Sequence, residues 1–96
     1  MTFLLVTDDA DQGRALAGRL DGAMPGSLCL TVAPRDLEAS MREVRVDCVV
    51  CPADLAEGRP DRRPRFVAWP ERGMQEAWVQ ALLRRAALWE PPNPLF

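Results

Sequence analysis

Three short apolar runs, Phe3 to Val6, Leu28 to Val32 and Val46 to Cys51, alternate with two stretches of helical period. A run of this length bounded by turn signals reads as a buried strand. Strand-helix-strand-helix-strand order implies right-handed crossovers and a parallel sheet. The first run ends in Thr7-Asp8-Asp9, which places two adjacent carboxylates at a strand's C-terminal edge, where open α/β sheets carry their sites.

The intervening segments support this order. The first helix begins at Asp9, whose carboxylate caps it while Gln12, three residues on, answers as the other half of a capping box. Leu16 and Leu20 lie four apart, with Gly13 and Ala17 on the same face and small enough to let the helix sit close to the sheet. Asp21-Gly22 ends this helix and Pro25-Gly26 extends the turn. Pro34 suits a first helical turn, after which Leu37, Met41 and Val44 share one face while Arg35, Glu38, Arg42 and Glu43 face water.

Beyond Cys51 the signal thins. Residues 52–58 suit one helical turn, and Arg59 to Arg65, with two prolines, reads as a loop. Phe66 to Trp69 reads as a fourth strand closed by Pro70. The longest helix runs from about Met74 to Trp89, with Val79, Leu82, Leu83, Ala86 and Trp89 on one stripe and Arg84 and Arg85 near its C-terminus, where cations are favoured. Pro91, Pro92 and Pro94 forbid its continuation. We therefore expect one domain over residues 1–90 and a Pro-rich tail or linker stub over 91–96.

Composition excludes whole classes of chemistry. The 12 basic residues are all arginine and there is no histidine, which removes the usual general base, the commonest zinc ligand and any Schiff-base or P-loop lysine. A sequence pI near 5.0 and a net charge of −2 leave no overall basic field for non-specific nucleic-acid binding. Cys29, Cys48 and Cys51 are an odd number with no signal peptide, so a reducing cytoplasm is expected rather than a disulfide framework. The N-terminal apolar run is too short to cross a membrane.

With the strand-helix order and the Val6-Thr7-Asp8-Asp9 corner in place, the first seventy or so residues resemble a response-regulator receiver domain. In that family two acids hold magnesium, the third strand leads into an aspartate that accepts a phosphoryl group, the fourth ends in Ser or Thr, and a fifth ends in Lys. Here the matching positions carry Asp8 and Asp9, then Pro52, then Trp69, and no lysine exists. Proline and tryptophan can neither accept the phosphoryl group nor bond its oxygens as a hydroxyl does. The fifth strand is missing as well. The chain thus resembles a shortened, degenerate receiver, or pseudo-receiver.

Four features are candidate sites. Asp8 and Asp9 are the candidate magnesium ligands, with Asp54 as a third carboxylate if its loop curls back. A helix cap and a solvated acid explain the pair without an ion. Cys48-x-x-Cys51 lies on a strand, where residues three apart point to opposite faces, so a shared metal is not expected. Cys51 is expected at the strand's mouth beside the acids, which would raise its pKa. The arginine cluster, Arg62 and Arg63 included, suits an acidic protein surface better than nucleic acid. Trp78 and Trp89, eleven apart on one helix, are candidate interface anchors, and a core this small is not expected to hide all three tryptophans.

The expected fold is a three-layer α/β sandwich with a short parallel sheet of four strands in flavodoxin-like order and its last crossover missing or remodelled. The expected function is non-catalytic: a signalling module that binds a protein partner and forms a homodimer, needs no resident cofactor, and contacts neither nucleic acid nor membrane. A nucleotide- or small-molecule-binding domain and the N-terminal regulatory domain of a transcriptional regulator are the other two readings.

Overall fold

A computed structural model describes residues 1–59, 64–71 and 73–89. Strands β1 (Thr2–Val6), β2 (Leu28–Val32), β3 (Cys48–Cys51) and β4 (Arg65–Ala68) form one sheet in the order β2-β1-β3-β4, with every neighbouring pair parallel. Helices α1 (Ala10–Ala23), α2 (Leu37–Glu43), α3 (Ala53–Ala56) and α4 (Gln75–Ala86) alternate with them, α2 being entered through a 3-10 turn at Pro34–Asp36. This is the expected three-layer α/β sandwich in flavodoxin-like order.

The central strands explain why their sequences are continuous apolar runs. Phe3 and Leu5 point to one face and meet Leu16 and Leu20 of α1 and Val79 and Leu82 of α4; Leu4 and Val6 point to the other and meet Leu37 of α2, with Leu55 of α3 packed against the same cluster. All four are fully buried, because a parallel sheet covered on both sides leaves no solvent face. Burial of each large side chain contributes about 1.5–3 kcal/mol.

Gly13 lets α1 approach β2. A Cβ there would lie 2.7 Å from Thr31 Cγ2 and 2.8 Å from Thr31 Oγ1. One boundary differs from the sequence expectation: Asp21 and Gly22 do not end α1, which continues to Ala23 and closes with the Met24 N–H on the Leu20 carbonyl at 2.7 Å. The cause is tertiary, since Ala23 and Met24 pack on the same apolar cluster as Leu20. The turn follows at Gly26, whose φ of 88° is in the left-handed region.

At this same N-terminal edge of the sheet, the buried Asp47 carboxylate accepts the Thr2 N–H at 2.8 Å and ties the start of β1 to the start of β3. After β4 the chain enters α4, which packs beside α1, and no fifth strand follows among the described residues. No helix among those residues is long and apolar enough to cross a membrane. The tail 91–96 lies outside the described residues.

Candidate functional site

The C-terminal edge of the sheet is built by the ends of β1, β3 and β4. At the β1 corner, Asp9 does what its position before an apolar period predicts. Its Oδ1 accepts the N–H of Asp11 at 3.0 Å and of Gln12 at 3.2 Å, capping α1. The reciprocal half differs from a capping box: Gln12 Oε1 accepts the Thr7 hydroxyl at 2.9 Å, and the Thr7 oxygen accepts the Asp9 N–H at 3.1 Å. The hydroxyl stands between the two, so Gln12 reaches the corner through Thr7 rather than directly. Asp8 is exposed, and Asp11 pairs with Arg14 on the helix surface.

Across the corner, β1 and β3 pair only as far as Leu5 opposite Val50, whereas β1 and β2 pair one residue further, to Val6 opposite Val32. In that parallel register the Val6 carbonyl faces the backbone nitrogen of residue 52. Residue 52 is proline and has no N–H. The donor comes instead from Trp69, whose indole Nε1–H reaches the Val6 oxygen at 2.8 Å while its backbone N–H bonds the Cys51 carbonyl at 3.0 Å. The indole therefore lies across the ends of β1 and β3, half-buried against the α1/α4 side of the core.

The remaining acid of the expected pocket does not join the corner. Asp54 is exposed in the first turn of α3, which Pro52 precedes as its N-cap. Among the described residues no three acids, thiols or histidines gather closely enough to hold one metal ion. Asp8, Asp9, Pro52 and Trp69 each follow a strand end at this edge, with Asp9 engaged as a cap and the Trp69 indole bonded to the Val6 carbonyl.

Cys48 and Cys51 are core side chains. Cys48 faces the α1/α4 side and Cys51 the α2/α3 side, the divergence that strand geometry requires. Burial pushes the Cys48 thiol up to about 12. Cys51 ends β3 at the mouth, but its side chain is fully buried in the core between β3 and α2/α3, and its pKa is raised by burial first, with Arg59 opposing and Asp54 adding. An inward-pointing strand residue is shielded from the corner carboxylates by its own backbone. Cys29, half-buried on β2, is raised by burial, with Asp21 adding and the N-terminal ammonium opposing.

A groove of about 220 Å³ opens beside the mouth, between α1 and the β4–α4 connection, with Leu16, Trp69 and Pro70 as its apolar wall and Gln12, Arg19 and Gln75 as its polar rim. Sequence reasoning did not find it, because it forms from segments far apart in the chain. Along the outer edge of β4, Trp78 Nε1–H donates to the Ala68 carbonyl at 3.0 Å. Trp89 lies past the end of α4 rather than on it, with the Arg65 guanidinium 5.0 Å from its ring centroid. Trp69, Trp78 and Trp89 are all half-buried. Arg59 stacks on Phe66 at 4.2 Å, while Arg62 and Arg63 lie outside the described residues.

No family model, no curated protein and no solved structure matches this chain.

Proposed function

We propose that the chain is a non-catalytic regulatory module that acts in the cytoplasm by binding a protein, with no phosphoryl transfer at its receiver-like corner. One observation carries the reading. Where the resemblance would put an acceptor carboxylate and a hydroxyl, Pro52 and Trp69 stand, and Trp69 donates its indole N–H to the Val6 carbonyl. With proline at the matching position, the corner offers no carboxylate where the acceptor would stand. Surface recognition is what such a scaffold still offers, and tryptophan and arginine are the residues that most often anchor interfaces.

The test uses the intact chain with magnesium and beryllofluoride, read by two-dimensional amide spectra. Unchanged resonances at Thr7, Asp8, Asp9 and Ala53 are expected, and a magnesium-dependent shift at those positions would overturn the reading. Affinity capture from the native cell, comparing wild type with Trp89→Ala and Arg63→Glu, tests the protein-binding half. A partner lost with either variant is expected; no partner in any of the three is the contrary result.

The groove beside Trp69 favours small-molecule binding as a second reading. Its volume of about 220 Å³ falls below the roughly 300–1,000 Å³ of most ligand pockets, which is why it ranks second. Thermal-shift screening with nucleotides and other small planar ligands tests it, since a ligand of the native state must raise its stability.

A further inference from the structure

The helix α4 has two apolar sides. Val79, Leu82 and Leu83 face the core, on which the half-buried Trp78 also packs. A second series, Met74, Ala77 with Trp78, Ala81, Arg85 and Leu88, recurs at three- and four-residue spacing along the flank beside the outer edge of β4. Its ends are apolar and uncovered among the described residues: Met74 is 53% exposed and Leu88 87%. A shallow groove of about 540 Å³ follows this flank, from Pro70 and Glu71 to Arg85. It occupies the side of β4 on which a fifth strand would lie.

We propose that a second copy of this chain docks here, with the two α4 helices antiparallel across a two-fold axis near Ala81. The series is self-complementary about that residue. A two-fold at Ala81 keeps each flank of the seam on its own side, so Met74 meets the partner's Leu88, Ala77 meets the partner's Arg84, and Trp78 meets the partner's Arg85. A small residue at the axis lets the backbones approach, and a guanidinium over an indole is favourable. Charge agrees with the same orientation. Glu71 lies at the N-terminal end of the groove, Arg84 and Arg85 sit in the last turn of α4, and no ion pair within the described chain uses any of the three. An isologous antiparallel pair turns the acidic end of each groove toward the basic end of the other and opposes the helix dipoles.

Met74 to Leu88 spans about 20 Å at a rise of about 1.5 Å per residue. One such stripe is smaller than a standard interface, so the dimer is concentration-dependent rather than obligate. The inference deepens the protein-binding reading and rests on it only in taking this surface to act by protein contact.

Sedimentation velocity of the full chain over a wide concentration range is the experiment. Wild type should pass from monomer to a species of twice 10.7 kDa. Met74→Glu and Leu88→Arg should each remove the dimer without moving the unfolding midpoint, as both positions are exposed. Mixing the two variants should restore a heterodimer, because position 74 of one faces position 88 of the other. A wild-type monomer at every concentration, a dimer indifferent to both substitutions, or a mixture that fails to pair would each overturn the proposal. A monomer would leave the reading of the corner standing, since that is decided by amide shifts at Asp8 and Ala53.

Discussion

The indole N–H of Trp69 donates to the backbone carbonyl of Val6 across 2.8 Å, joining residues 63 apart in the chain. It takes the place of a ladder bond that Pro52 cannot make. A strand carbonyl left without a donor at a half-buried edge costs roughly 1–3 kcal/mol, so the proline and the tryptophan form one unit, each accounting for the other.

That dependence is measurable. Trp69→Phe keeps most of the ring and deletes the donor, and should lower stability in urea by about 1–2 kcal/mol. Pro52→Ala returns a backbone N–H to the position facing Val6. In that background Trp69→Phe should cost less, a coupling of about 0.5–1 kcal/mol in a double-mutant cycle. Additive costs would show that the indole bond and the proline are unrelated.

The corner acids separate by role in the same assay. Asp9→Ala removes the acceptor of the Asp11 and Gln12 N–H groups and should cost about 1 kcal/mol, while Asp9→Asn, which caps equally well, should be nearly neutral. Asp8→Asn should stay within about 0.5 kcal/mol, as an exposed substitution does. Added magnesium should leave the melting temperature of wild type and both Asn variants unchanged. A magnesium-dependent rise lost in the Asn variants would instead mark the pair as an ion site.

The layer order was legible in the chain because strands buried on both faces must be continuously apolar, and Phe3 to Val6 and Cys48 to Cys51 are. The Asp9 cap was legible for a local reason: its donors lie two and three residues away. What could not be read depended on distance. Trp69 could be seen to lack a hydroxyl, but its role as a donor depends on Val6, and the register that brings the two together is fixed by packing. The only hint was a proline ending one apolar strand and a donor-bearing ring ending the next. The inward turn of Cys51 followed from strand alternation once the strand's last residue was known.

Close packing of α1 on β2 gives a prediction whose sign reverses. Alanine favours a helix over glycine by about 1 kcal/mol, yet a Cβ at position 13 would press on the Thr31 side chain, and overpacking typically costs about 1–3 kcal/mol. Gly13→Ala should therefore destabilise by about 1 kcal/mol in wild type. With Thr31→Ala removing the colliding atoms, the same substitution should stabilise by up to about 1 kcal/mol. Urea midpoints of the four proteins decide it, and stabilisation in the wild-type background would mean that Thr31 yields freely.

Alkaline unfolding isolates the thiols, because the chain has no lysine and no tyrosine and arginine stays protonated throughout. Cys48 is raised from 9.0 to about 12 by burial, and Cys29 and Cys51 are raised in the same direction. In the unfolded chain the thiols lose protons near 9 while the folded chain retains them, so above that pH the unfolded state binds fewer protons and stability falls as pH rises. The Cys48 contribution is fully present below pH 9 and is lost as pH climbs toward about 12, on the order of 1 kcal/mol for each pH unit. Urea midpoints should be flat from pH 8 to 9 and decline steadily above it. Cys48→Ala should start from lower stability, since it opens a small cavity, and should decline less steeply. An equal slope in both proteins would show that Cys48 titrates alike in the folded and unfolded chains.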